Sequence, residues 1–265
     1  MSSAKTKTER PAVASATTTD DFLGGRVSIV QPARGHRSGS DAIWLQAAVP
    51  AHAGDHSLDA GAGVGVAGLA LLARVPKSKV TALERDRALC DLAEQNAARN
   101  GFSDQFTVIE CDITGRASAL SAKGILREGH DHVMANPPFH AQGTVRIGAD
   151  KLGAHEMAPG ALAAWIRFMT SATAPKGTLT LIHRPEALGE LLPLLKERFG
   201  ELAIFPLFTK EGAAATRVII QGRKGKRGAL KLRRGLVLHR SDGAYTDAAE
   251  AILRHGEKLD LAHET

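Results

Sequence analysis

The chain has 265 residues, 43% of them hydrophobic, which suits one large α/β domain with a sizeable buried core. No run approaches the roughly 20 apolar residues that cross a bilayer, and the Ser/Thr/Ala/Lys-rich start lacks the apolar centre of a signal peptide. Two cysteines, Cys90 and Cys111, exclude a disulfide framework and point to a reducing cytoplasm; the net charge of +6 is compatible with an anionic partner without requiring one.

Met1 to Asp21 carries too little apolar surface to offset the entropy of ordering it and is expected to be a disordered tail; residues 22–265 are expected to form one domain. Residues 22–50 read as an N-terminal cap, a short alternating strand from Arg26 to Gln31 and an apolar helix opened by Asp41 and ending near Val49. Strand patterns follow at His56–Asp59, Lys79–Glu84, Phe106–Glu110, Asp131–Ala135, Thr178–Ile182, Ala203–Phe208 and Arg217–Gln221. Helical patterns lie at Val66–Arg74, Arg87–Asn100, Pro159–Ala174 and Pro185–Phe199, with a partly helical stretch from Thr114 to Glu128. This alternation predicts parallel βαβ units with right-handed crossovers. The link from Thr209 to Thr216 is too short for a helical crossover, so the last two strands should pair antiparallel. The outcome is a mostly parallel, seven-stranded α/β sheet with an antiparallel C-terminal hairpin, followed over 223–265 by a basic loop and a strand–helix element.

The run Asp59-Ala60-Gly61-Ala62-Gly63-Val64-Gly65 follows a strand and opens a helix, where glycines permit a sharp turn and close approach of a ligand. Dinucleotide folds space their glycines G-x-G-x-x-G, but Val66 stands at the third position, which argues against a nicotinamide oxidoreductase. Glu84 ends the next strand about 25 residues beyond Asp59, where a nucleotide fold carries its ribose-binding carboxylate. Asp112 and Ile113 come just after the third strand of the series.

After the fourth comes Asn136-Pro137-Pro138-Phe139, the most specific feature in the chain. Two prolines fix the backbone in an extended form and leave nearby carbonyls without a ladder partner. An amide side chain and a carbonyl, both acceptors, suit a planar amino group, and Phe139 can stack on the ring that bears it.

The D-x-G-x-G-x-G loop resembles the S-adenosylmethionine motif of class I methyltransferases. That resemblance implies Asp59 at the cationic amino acid end of the cofactor, Gly61, Gly63 and Gly65 along it, Glu84 at the ribose, and Asp112 and Ile113 at the adenine. The N-P-P-[FY] tetrapeptide is similar to that of adenine-N6, guanine-N2 and glutamine-N5 methyltransferases, with Asn136, Pro137, Pro138 and Phe139 as the catalytic set and Asn136 also touching the cofactor. The segment from Gly35 to Leu45 resembles its counterpart in bacterial tRNA (valine) adenine-N6 methyltransferases of the small-domain group, which adds Arg37, Gly39 and Asp41 to the cofactor site. His140 after Phe139 instead resembles ribosomal-RNA guanine-N2 enzymes, so the base stays open. A protein glutamine acceptor and a non-catalytic RNA-binding module are the competing readings; only about 25 residues precede the first strand, too few for a helical substrate domain.

From Gly212 to Ser241 there is no acidic residue among nine Lys and Arg. Arg223, Lys224, Lys226 and Arg227 are expected to form a basic loop on the RNA backbone, tRNA first. His130, His132 and His140 lack zinc-site spacing, so no metal is expected. Cys111, Trp44 and Trp165 are expected to pack in the core.

Overall fold

The computed structural model describes residues 16–35, 37–138 and 160–261. The chain opens on a hairpin in which β1 (Thr17–Phe22) runs antiparallel to β2 (Val27–Pro32), Thr17 facing Pro32 and Phe22 facing Val27. This corrects the expectation that the tail runs unstructured through Asp21. Three β-branched threonines favour extended backbone, and β2 offers them an edge, although β1 buries almost none of its own surface.

Then follow α1 (Ser40–Ala48), β3 (His56–Ala60), α2 (Val66–Arg74), β4 (Lys79–Glu84), α3 (Arg87–Arg99), β5 (Phe106–Glu110), α4 (Ala117–Ala122) and β6 (His130–Ala135). The second half supplies α5 (Ala161–Ala172), β7 (Thr173–His183), α6 (Leu188–Lys196), β8 (Phe199–Phe208), β9 (Ala215–Lys224), β10 (Lys231–Leu232), β11 (Leu236–Val237) and α7 (Asp247–His255). Seven long strands lie in the order β8-β9-β7-β6-β3-β4-β5. From β5 to β7 every pairing is parallel, while β9 is antiparallel to both β7 and β8. The expected seven-stranded sheet with its antiparallel C-terminal pair is thus present, and the two-residue strands β10 and β11 extend it in parallel along β8.

Helices cover both faces. One apolar cluster joins α1, α2, α3 and α7 to the sheet, and a second joins α4, α5 and α6. The central helix α2 is apolar all round because α1 and β2 cover the side that the sheet does not, and Leu69, Leu71 and Leu72 are essentially inaccessible. Each such leucine contributes roughly 1.5 to 3 kcal/mol. Trp44, Trp165 and Cys111 are buried, as expected.

The amino edge of the parallel strands holds the histidines and the basic segment. His56 and His130 meet with ring centroids 4.7 Å apart, and His132 bridges Asp55 Oδ2 at 3.1 Å and Thr178 Oγ1 at 2.7 Å. Burial brings the His130 pKa down to about 4, so it is neutral at pH 7. Among the described residues no group of three or more His, Cys, Asp or Glu could hold a metal ion; His140 lies outside them.

The basic-loop expectation needs correction. Arg223 and Lys224 belong to β9, and only Lys226 and Arg227 follow it, exposed. Lys224 Nζ donates to the Thr170 and Thr173 carbonyls at 2.6 and 2.7 Å and to Glu128 Oε1 at 3.0 Å, so it caps the C-terminus of α5. Lys224→Met should therefore cost about 1 to 2 kcal/mol of stability in urea unfolding, because it strands two part-buried carbonyls. A change below about 0.5 kcal/mol would show the cap to be dispensable.

Candidate functional site

Strands β6, β3, β4 and β5 are neighbours and parallel, so the loops after their carboxyl ends converge on one crevice. Gly61, Gly63 and Gly65 take φ values of +71°, +57° and +89°, the left-handed region closed to most side chains. Gly61 N and Ala62 N both donate to the Leu83 carbonyl at 2.8 and 2.9 Å, which folds the loop back over β4. A Cβ on Gly61 would lie 2.5 Å from the Trp165 ring, whereas among the described residues one on Gly63 would meet only Ser38 Oγ, at 4.0 Å. The Gly63 face is open to a ligand; the Gly61 face is closed by the tryptophan.

Two carboxylates hold this loop. Glu84 Oε2 accepts from Gly63 N at 3.0 Å, and its Oε1 accepts from Arg85 N and Asp86 N at 2.8 and 3.0 Å. Asp59 is 2% exposed and accepts from Gly68 N, on the first turn of α2, at 3.1 Å. Burial raises its pKa to about 7, against the Gly68 hydrogen bond and with help from the charge on Glu84. Beyond β5, Asp112 Oδ1 accepts from Thr114 N and Thr114 Oγ1, and the side-chain bond above all lowers its pKa. Ile113 turns its side chain into the α4–α6 core beside Leu83 and Leu120.

Asn136 continues β6 into the crevice. Its Oδ1 is buried and, among the described residues, accepts no hydrogen bond. Pro137 is buried and Pro138 half-buried beside it; Phe139 lies outside the described residues.

Arg37 and Asp41 point elsewhere. Arg37 pairs with Asp20 Oδ2 at 2.7 Å and donates to Thr18 Oγ1 on β1, and Asp41 pairs with Arg217 Nε at 2.8 Å. Gly39 caps the N-terminus of α1 in an extended conformation. Between Arg37 and Gly39, Ser38 reaches the glycine loop, its N–H held by Gln31 Oε1 at 2.9 Å. Ser38 lies within the Gly35–Leu45 segment, but the resemblance there assigns only its neighbours Arg37, Gly39 and Asp41; the Trp165 wall was not legible, because it reaches the loop from α5 and carries no motif.

The methyltransferase small domain model matches residues 38–202. A relative from Aeromonas hydrophila named tRNA1(Val) (adenine(37)-N6)-methyltransferase is 30% identical, over 79% of this chain and 85% of its own length. A protein of the same name from Porphyromonas gingivalis is 35% identical over 46% of this chain and 48% of its own. A solved structure described as a predicted O-methyltransferase from Agrobacterium tumefaciens superposes with a TM-score of 0.72 at 29% identity, covering 84% of this chain and all of that one. With its glycine loop, strand-end carboxylates and Asn-Pro-Pro turn on one edge of this sheet, the chain belongs to the methyltransferase small domain family and is an S-adenosylmethionine-dependent methyltransferase.

Proposed function

We propose that this enzyme methylates an exocyclic amino group of an RNA base, adenine N6 in a tRNA before any other. One observation carries the reading: the buried Oδ1 of Asn136 at the carboxyl end of β6, unpartnered among the described residues. Such an acceptor costs about 1 to 3 kcal/mol while unpaired, and an N–H donor from a substrate would recover it. The name of the Aeromonas hydrophila relative supports adenine in tRNA. An RNA substrate also puts the enzyme in the cytoplasm, and among the described residues no helix is long and apolar enough to cross a membrane.

The residues present fit the cofactor. Gly63 leaves a face free of side chains, Glu84 and Asp112 offer carboxylates for the ribose and the adenine amino group, Ile113 supplies backbone for the adenine ring, and Asp59 lies behind the loop for the cationic end. Arg37 and Asp41 are already ion-paired, with Asp20 and Arg217, and are not assigned to the cofactor. When bound, S-adenosylmethionine supplies a methyl group activated by the positive charge on sulfur. Asn136 Oδ1 and the Pro137 carbonyl accept from the two amino N–H bonds, which holds the nitrogen in line and returns lone-pair density to it. Phe139 stacks on the base.

Asn136→Ala should lower single-turnover methylation by on the order of 100-fold while cofactor affinity stays within about twofold. Nucleoside mass spectrometry of RNA from a deletion strain names the base: loss of N6-methyladenosine from tRNA is expected. Loss of N2-methylguanosine from ribosomal RNA, or an unchanged RNA profile with loss of a methylated glutamine, would replace the acceptor.

The raised pKa of Asp59 sets a pH dependence. Below about 7 the free protein carries a neutral acid there, and a cationic ligand must expel that proton. Affinity for S-adenosylmethionine should therefore rise with pH through about 7 and level off above it, whereas Asp59→Asn should flatten the curve. Calorimetric titration from about pH 5.5 to pH 8.5 reads this directly, and parallel wild-type and variant curves would remove Asp59 from the ligand.

Arg223, Lys226 and Arg227 sit at the sheet edge opposite Asn136. Along β9 the six steps from Arg217 to Arg223 span roughly 20 Å, so these side chains could follow the RNA body but not select the base. Neutralising all three should flatten the slope of log affinity against log salt by about 0.7 to 0.9 for each phosphate no longer bound. Unchanged slopes would put the RNA surface at the mouth.

A further inference from the structure

Among the described residues, strand β2 pairs with β1 along one edge and with no strand along the other. The side chain of Asn96 on α3 and that of Asn100, which caps the helix, satisfy that other edge. Asn96 Oδ1 accepts from Val30 N at 2.8 Å, and Asn96 Nδ2 donates to the Val30 carbonyl at 2.9 Å. One helical turn on, Asn100 repeats the pair with Ser28 N and the Ser28 carbonyl, both at 2.8 Å. A primary amide carries the donor and acceptor of a peptide group, and a helical turn of about 6 Å matches two strand residues. The two asparagines stand in for a missing strand.

They differ in one bond. Asn100 Nδ2 turns to the Asn96 carbonyl of its own helix, at 2.7 Å. Asn96 Nδ2 donates instead to the Val64 carbonyl at 3.0 Å, in the middle of the glycine loop, and Asn96 has no exposed surface. Val64 stands between Gly63 and Gly65, both in the left-handed region, where the backbone is at its most adaptable. The opposite wall of the crevice starts from the same place: Gln31, next to Val30, holds Ser38 N, and Ser38 Oγ is the atom nearest a Cβ on Gly63.

We propose that Asn96 is a positioning residue for cofactor binding. Its amide ties the glycine loop to β2, and so to the strap that ends in Ser38, before any ligand arrives; the loop then loses less freedom on binding. The inference rests on the reading that this loop receives the cofactor.

The test compares Asn96→Ala, Asn100→Ala and Glu84→Ala in the full chain, by melting temperature and by calorimetric Kd for S-adenosylhomocysteine. Asn96→Ala should raise Kd about tenfold and leave kcat at saturating cofactor within about twofold. Asn100→Ala, which loses the same two bonds to β2, should lower the melting temperature comparably and leave Kd within about twofold. An unchanged Kd in Asn96→Ala, or equal rises in both, would overturn the proposal and leave a purely structural amide. Full affinity in Glu84→Ala would instead show that the loop is not the cradle. If Asn96→Ala does not fold, Asn96→Asp keeps the acceptor for Val30 N and loses the donors to the Val30 and Val64 carbonyls. Protonating that carboxyl restores a donor, so its Kd should improve as pH falls, against the wild-type trend; a wild-type-like trend would overturn the proposal.

Discussion

The chain must turn from β3 into α2 without leaving buried backbone donors unpaired, and much of the crevice follows from how it does so. The Leu83 carbonyl takes two of those donors, Glu84 a third and Asp59 a fourth. The strand-end acids are therefore structural before they are anything else. A carboxylate offers about four lone-pair sites, and Glu84 already commits three of them to Gly63, Arg85 and Asp86. In the proposed binding mode the two ribose hydroxyls cannot both be added to that set. One backbone bond must yield, and Gly63 N, on the open side of the loop, is the candidate. In that mode, loop geometry and cofactor occupancy would be coupled through one side chain.

The two edges of the sheet divide the charge. Parallel strands send helix N-termini out from their carboxyl edge and receive helix C-termini at their amino edge. Cations gather at the latter for that reason. Lys224 caps α5, and Arg74 donates from Nη2 to the Gln46 and Val49 carbonyls at the end of α1, both at 2.7 Å. Burial pulls the Arg74 pKa down to about 10, still far above neutrality. Part of the positive excess thus balances helix carbonyls inside the fold. Net charge alone overstates the basic surface left for a polyanion.

The strands and helices were legible wherever one period ran unbroken. Lys79–Glu84, Phe106–Glu110 and Val66–Arg74 have the bounds that their apolar runs predict. β7 begins at Thr173 rather than Thr178, because Pro175 and Gly177 interrupt the pattern without ending the strand. β1 was missed because composition registers apolar content, and β1 gains its order from an edge rather than from burial. The acids at strand ends could be aligned because a parallel sheet sets those ends side by side. The partners of Arg37, Asp41, Lys224 and Asn96 could not, since each lies across the fold and nothing local marks it.

The choice of an amide at position 136 bears on which acceptors the crevice can serve. An aspartate there would place a charge where the asparagine oxygen is buried, and would draw a proton rather than orient one. Asparagine accepts a hydrogen bond without a charge to desolvate, and cannot act as a base. A hydroxyl acceptor has a single proton, which must leave before or during transfer, and an amide does nothing to remove it. In the proposed mode an amino group would offer two N–H bonds to two acceptors, Asn136 Oδ1 and the neighbouring proline carbonyl. After transfer its nitrogen is acidic enough to release a proton to water. The rigid Asn-Pro-Pro turn is therefore suited to a reaction whose difficulty is orientation, not deprotonation.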